Sequence, residues 1–135
     1  TKLVPYSILR ALRKEAPRRT SGTRPVDWIF IDDVVAGLLA AGEVAGVDGE
    51  TFHLGSGELI TVRQIVEKIC HALAAPPPEI GALADRPLEA VRRANIAKSI
   101  SRLGWRPQVG LEEGLHRTIV GLRGELASGA HVVRG

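Results

Sequence analysis

The 135 residues include 44% hydrophobic and 24% charged side chains, enough for a real core and too apolar for a wholly disordered chain. Aromatics make up only 4%, so Leu, Ile, Val and Ala must fill that core. The net charge is +3, from 18 basic against 15 acidic side chains; the basic residues are spread along the chain and form no basic tail, and the mild excess suits an anionic small ligand as well as nucleic acid.

Leu3 to Lys14 is expected to form a first helix, with Val4, Ile8, Ala11 and Leu12 on one face and Pro5 in its first turn. A loop from Ala16 to Pro25 carries Arg18, Arg19, Gly22 and Arg24, and Val26 to Ile31 follows as a β-branched and aromatic strand. Asp32 or Asp33 then caps a helix to about Ala41, with Val34, Val35, Leu38 and Leu39 as its apolar stripe. Thr51 to Leu54 is expected as a second short strand, leading into Gly55-Ser56-Gly57.

Thr61 and Gln64 have capping-box spacing, and Val62, Ile65, Val66, Ile69, Cys70 and Leu73 repeat at the helical period behind them. Pro76-Pro77-Pro78 stops that helix, and a polar loop follows around Asp85-Arg86-Pro87. Asn95 is expected to cap a short helix through Arg102, with Ile96 and Ile100 inward and Gly104 as its carboxyl cap. Leu111 to Leu126 makes the last helix, and residues 128–135 are expected to form a flexible tail behind a domain at 1–127. Two short strands cannot shield the faces of five helices, so the fold is α/β but incomplete.

Several chemical readings are set aside. Gly55 and Gly57 have the first spacing of a dinucleotide loop, but Ile60 sits where the third glycine belongs, which favours a structural turn. Asp27, Asp32 and Asp33 flank a strand and open a helix, which favours capping and anchoring over a metal site. The four histidines lack metal-ligand spacing, and Gly55-Ser56-Gly57 lacks the outer spacing of a nucleophile elbow. The lone Cys70 excludes an internal disulfide framework. No stretch reaches the length of a membrane span and the opening residues carry no signal-peptide pattern, so a cytoplasmic protein is expected. The absence of Met raises the expectation of a piece of a larger protein.

Arginine dominates the basic residues, and guanidinium forks match phosphate oxygens well. Arg18, Arg19 and Arg24 approach the first strand, while Arg86 sits on a Pro-braced loop; solvated loop charge is the plain alternative.

Four stretches in series resemble the extended short-chain dehydrogenase/reductase (SDR) family, the NAD-dependent nucleotide-sugar epimerases and dehydratases. They are Val26-Asp27-Trp28-Ile29-Phe30-Ile31-Asp32-Asp33-Val34; Thr51-Phe52-His53-Leu54-Gly55-Ser56-Gly57; Asp85-Arg86-Pro87-Leu88-Glu89; and Leu103-Gly104-Trp105-Arg106-Pro107 followed by Leu111-Glu112-Glu113-Gly114-Leu115. The resemblance implies a partial NAD(P)-binding Rossmann-like fold, here its C-terminal substrate-binding region, helix-rich with few short strands. It implies that Arg86 grips the diphosphate and Arg24 assists, though Val26 stands where the family often has an arginine. Leu3 to Tyr6 would touch the nucleotide, and Ala16 to Arg19, with Arg18 and Arg19, would lie beside the base.

The family's Tyr-x-x-x-Lys pair is not in this sequence: the only tyrosine is Tyr6, and four residues on stands Arg10. No Gly-x-x-Gly-x-x-Gly opening is present either. The resemblance therefore implies NAD or NADP in a parent enzyme, none bound to this chain alone, no catalytic residue here, and no turnover alone. Implied partners are a nucleotide-sugar substrate, an N-terminal Rossmann domain or partner chain, and a second copy as homo-oligomer; membrane and metal are not implied. The rival expectation is a non-enzymatic module binding nucleic acid or a partner protein. No helix concentrates enough positive charge for groove reading, which disfavours nucleic acid.

Overall fold

The computed structural model describes residues 2–84 and 90–129. Among the described residues five helices and two strands run in the order α1 (Leu3–Leu12), β1 (Pro25–Asp27), α2 (Ile31–Glu43), β2 (Leu59–Thr61), α3 (Val62–Ala72), α4 (Ala97–Leu103) and α5 (Leu111–Ala127). They fall into two compact units: residues 2–24, 61–84 and 115–129 form one, and residues 25–60 and 90–114 the other.

In the first unit α1 packs on α3. The α1 face is narrower than its period predicts, with Ser7, Ile8 and Ala11 buried. The helix stops at Leu12 because Lys14 turns left-handed at φ 59°. The α3 reading holds closely: Thr61 Oγ1 accepts from the Gln64 N–H, Gln64 reaches back to the Thr61 N–H, and Ile65, Val66, Ile69 and Cys70 are buried. Its end comes before the prolines, where Ala74 adopts φ 46°. There Lys14 Nζ donates to the carbonyls of Leu73 (2.7 Å) and Ala74 (3.1 Å), satisfying acceptors a helix end leaves open. Leu115 and Ile119 of α5 are also buried, whereas Leu126 is exposed.

The second unit centres on Val47, Leu103 and Trp105, with Ile29, Ala40, Ala41, Val44, Phe52, Leu54 and Ile96 packed against them. Its two-stranded sheet pairs β1 with β2, which corrects two expectations. The first strand ends at Asp27 rather than Ile31, since Ile31 already belongs to α2. Thr51 to Leu54 is not a strand. Two of its four carbonyls are taken by α4 side chains: Lys98 Nζ donates to Thr51 O (3.1 Å) and Ser99 Oγ to His53 O (2.7 Å).

The start of α2 also differs. Its N-cap is Phe30, without a side-chain cap, and Asp32 and Asp33 lie in the first turn. Buried Asp33 accepts from the backbone N–H groups of Gln108 and Val109, both at 2.9 Å, so it pins a distant segment instead of capping its own helix. Trp105 Nε1 donates to the Asp33 carbonyl at 2.9 Å and closes the same staple. Gly37 lies against Leu54, where a Cβ would come within 2.6 Å of a methyl. Of the expected apolar stripe, Val35, Leu38 and Leu39 face outward, 47%, 64% and 60% exposed, joined by Ile31 at 62%, while Val34 is half-buried.

In α4, Ile96 is the N-cap and Asn95 Oδ1 accepts from Ala97 N–H (3.2 Å). Ser99 and Leu103 form its buried face, with Ile96 packed against the core, and Gly104 closes it at φ 63°. The tail expected at 128–135 reaches only Gly129 within the described residues.

Candidate substrate-binding residues

The loop after α1 is held at its backbone before its side chains act. Arg19 N–H donates to Glu79 O (2.9 Å), Leu83 N–H donates to Arg19 O (3.1 Å), and Arg18 bridges to Glu79. From this fixed point the Arg19 guanidinium reaches α1. Its Nη2 donates to Leu3 O (3.1 Å) and Ser7 Oγ (2.5 Å), and its carbon lies 4.4 Å from the centre of the Tyr6 ring. Ser7 is fully buried and its hydroxyl donates back to Leu3 O at 2.8 Å. Burial lowers the pKa of Arg19 from its ordinary value, opposed by Tyr6 and Cys70.

Three residues expected at the nucleotide, Leu3, Tyr6 and Arg19, are thus brought together. Ser7 and Glu79 complete the cluster, and no sequence spacing announces either of them. Arg18 points elsewhere, its Nε 3.5 Å from a Glu79 carboxylate oxygen with both side chains more than half exposed. Arg24 is exposed, and its carbonyl accepts from Val62 N–H at 3.1 Å. Arg86 and its loop, residues 85–89, lie outside the described residues.

The glycine turn is built around Asp27. Its carboxylate accepts from Ser56 N–H (2.7 Å), Ser56 Oγ (2.6 Å), Gly57 N–H (3.1 Å) and Ala94 N–H (3.0 Å). Burial pushes its pKa up, but the Ser56 hydroxyl and the three backbone donors outweigh that and hold it below the ordinary carboxylate value. Gly57 sits at φ 78°, and a Cβ on Gly55 would run into Ala94 and Asp27. A pyrophosphate needs these amides free, and two of them are already spent on Asp27. The turn therefore does not fit NAD(P); it is the anchored structural turn.

Other chemistry finds little support. Burial pushes the Cys70 thiol up, away from nucleophilic use. Among the described residues no cluster of His, Cys, Asp and Glu is placed to hold a metal, and no helix is long and apolar enough to cross a membrane.

No family model matches the chain. Individual proteins do. It is 35% identical over 104 residues to a UDP-glucose 4-epimerase of Mycolicibacterium smegmatis, covering 73% of this chain and 31% of that protein. It is 34% identical over 131 residues to a dTDP-glucose 4,6-dehydratase of Neisseria gonorrhoeae, covering 87% and 38%. Among solved structures, the UDP-glucose 4-epimerase of Thermotoga maritima with UDP-glucose superposes with a TM-score of 0.83 at 29% identity, over 93% of this chain and 40% of that one. The Bordetella bronchiseptica enzyme WbmF in complex with NAD+ and UDP superposes at 0.75 and 26% identity, over 94% and 37%.

The fold is therefore a helix-rich part of the Rossmann-like extended SDR architecture. More narrowly, the chain is homologous to the NAD-dependent nucleotide-sugar epimerases and dehydratases of that family. It spans about a third of the length of these curated relatives.

Proposed function

We propose that this chain is the C-terminal, substrate-side region of an NAD(P)-dependent nucleotide-sugar epimerase or dehydratase. The observation that carries the reading is the joint likeness to an epimerase and a dehydratase at 35% and 34% identity. In this reading Arg86 binds the diphosphate through paired charge-assisted hydrogen bonds and Arg24 assists. Leu3 and Tyr6 meet the nucleotide, with Arg18 and Arg19 close by.

The hydride acceptor and the proton-abstracting pair belong to another layer, since the glycine turn does not fit the cofactor and Tyr6 is followed four residues on by Arg10 rather than Lys. The outward face of α2 supports such a layer. Ile31, Val35, Leu38 and Leu39 fall on one side of the helix and span about 12 Å along it. That length faces two or three neighbouring strands of a sheet. Between Val34 and Gly42 the helix carries no charge, so the surface that covers it must be apolar too.

Calorimetry with UDP-glucose and dTDP-glucose tests the site. The chain is expected to bind at least one of them without turnover, and Arg86→Ala to weaken that binding by about tenfold or more, as loss of a charged hydrogen-bond partner does. Equal heats from both proteins would remove Arg86 from the site.

A further inference from the structure

One edge of the Arg19 guanidinium is closed to a phosphate. Both hydrogens of its Nη2 are committed, one to Leu3 O and one to Ser7 Oγ. Its Nε is buried against the protein with no hydrogen-bond partner. The Nε–Nη2 edge, one of the forks that grips an oxyanion bidentately, therefore faces the fold. What the guanidinium does present is its flat face, laid on the ring of Tyr6 at 4.4 Å.

We propose that Arg19 is a positioning residue for nucleobase recognition: it fixes the Tyr6 ring and the first turn of α1 as one wall of the base site and makes no bond to phosphate. The inference rests on the nucleotide-sugar reading above. Its backbone anchors at Glu79 and Leu83 give the guanidinium a fixed origin, and Ser7 gives it a buried end point. The ring held between them keeps one orientation before any ligand arrives. Pre-ordering of this kind removes an entropy cost that binding would otherwise carry.

The test is calorimetry on the full chain with UDP and with inorganic pyrophosphate as probes. Arg19→Ala is expected to weaken UDP about tenfold while pyrophosphate affinity stays unchanged, in line with the worth of one base–aromatic stack. In a Tyr6→Leu background the same substitution should cause no further loss. Arg19→Lys, which keeps the charge but loses the planar fork, should behave like Arg19→Ala, and it carries the test if circular dichroism shows Arg19→Ala unfolded. Equal loss of UDP and pyrophosphate, additive losses with Tyr6→Leu, or full UDP affinity in Arg19→Lys would each overturn the inference alone. Absence of any heat from the wild-type chain with UDP would overturn it together with the nucleotide-sugar reading.

Discussion

A single carboxylate organises the glycine turn. Asp27 gathers three backbone N–H groups and a hydroxyl from two separate segments, and the backbone donors lose this acceptor if the carboxylate goes. Asp27→Asn replaces one acceptor oxygen with a donor facing donors. It should cost about 1–2 kcal/mol, with partial solvent exposure keeping the loss at the low end. The pH dependence follows from a folded-state pKa below the ordinary value. The contribution is fully present above the unfolded pKa of about 3.9 and is lost as pH falls through the lower, folded value. Urea unfolding should therefore separate wild type from Asp27→Asn at pH 7, and the gap should narrow below about pH 4. A gap that stays constant into strong acid would show that the carboxylate's charge is not what holds the turn.

Among the elements, α3 was the most legible and α2 the least. The capping box of Thr61 and Gln64 and the spacing of Ile65, Val66, Ile69 and Cys70 are local signals, and local hydrogen bonds and a single buried face realise them directly. Ile69→Ala should cost about 2–5 kcal/mol in chemical unfolding, against about 1 kcal/mol for Thr61→Ala. Similar costs for both would mean that the Ile69 site collapses around the smaller side chain. Long-range pairing was not legible. Nothing in Thr51 to Leu54 reveals that side chains of Lys98 and Ser99 will take two of its carbonyls in place of a strand. Nor does the Asp32-Asp33 pair show that Asp33 will accept from Gln108 and Val109. For α2, apolar spacing located a hydrophobic face, but small residues turned out to suffice on the inward side. Gly37 meets Leu54, Ala40 and Ala41 pack on the core, and the large aliphatics are left outside. Of the candidate cluster, the sequence named Leu3, Tyr6 and Arg19 in separate segments, while Ser7 and Glu79 join it only through contacts 12 and 60 residues from Arg19.

For the molecule as a whole, the central claim is that the α2 face is made to be covered. Four large aliphatic side chains in water on one helix are hard to reconcile with a self-sufficient soluble monomer. The chain spans about a third of the length of its curated relatives; in the proposed reading, that face is covered by the part of the enzyme that holds the cofactor. Without it, the exposed stripe should drive weak self-association. Sedimentation velocity over a hundredfold concentration range is the direct measurement. The wild-type chain is predicted to shift to larger species as concentration rises, and Val35→Lys combined with Leu38→Lys, at positions outside the core, is predicted to stay monomeric and equally folded. A wild-type chain that remains a stable monomer throughout, indistinguishable from the double variant, would contradict the account.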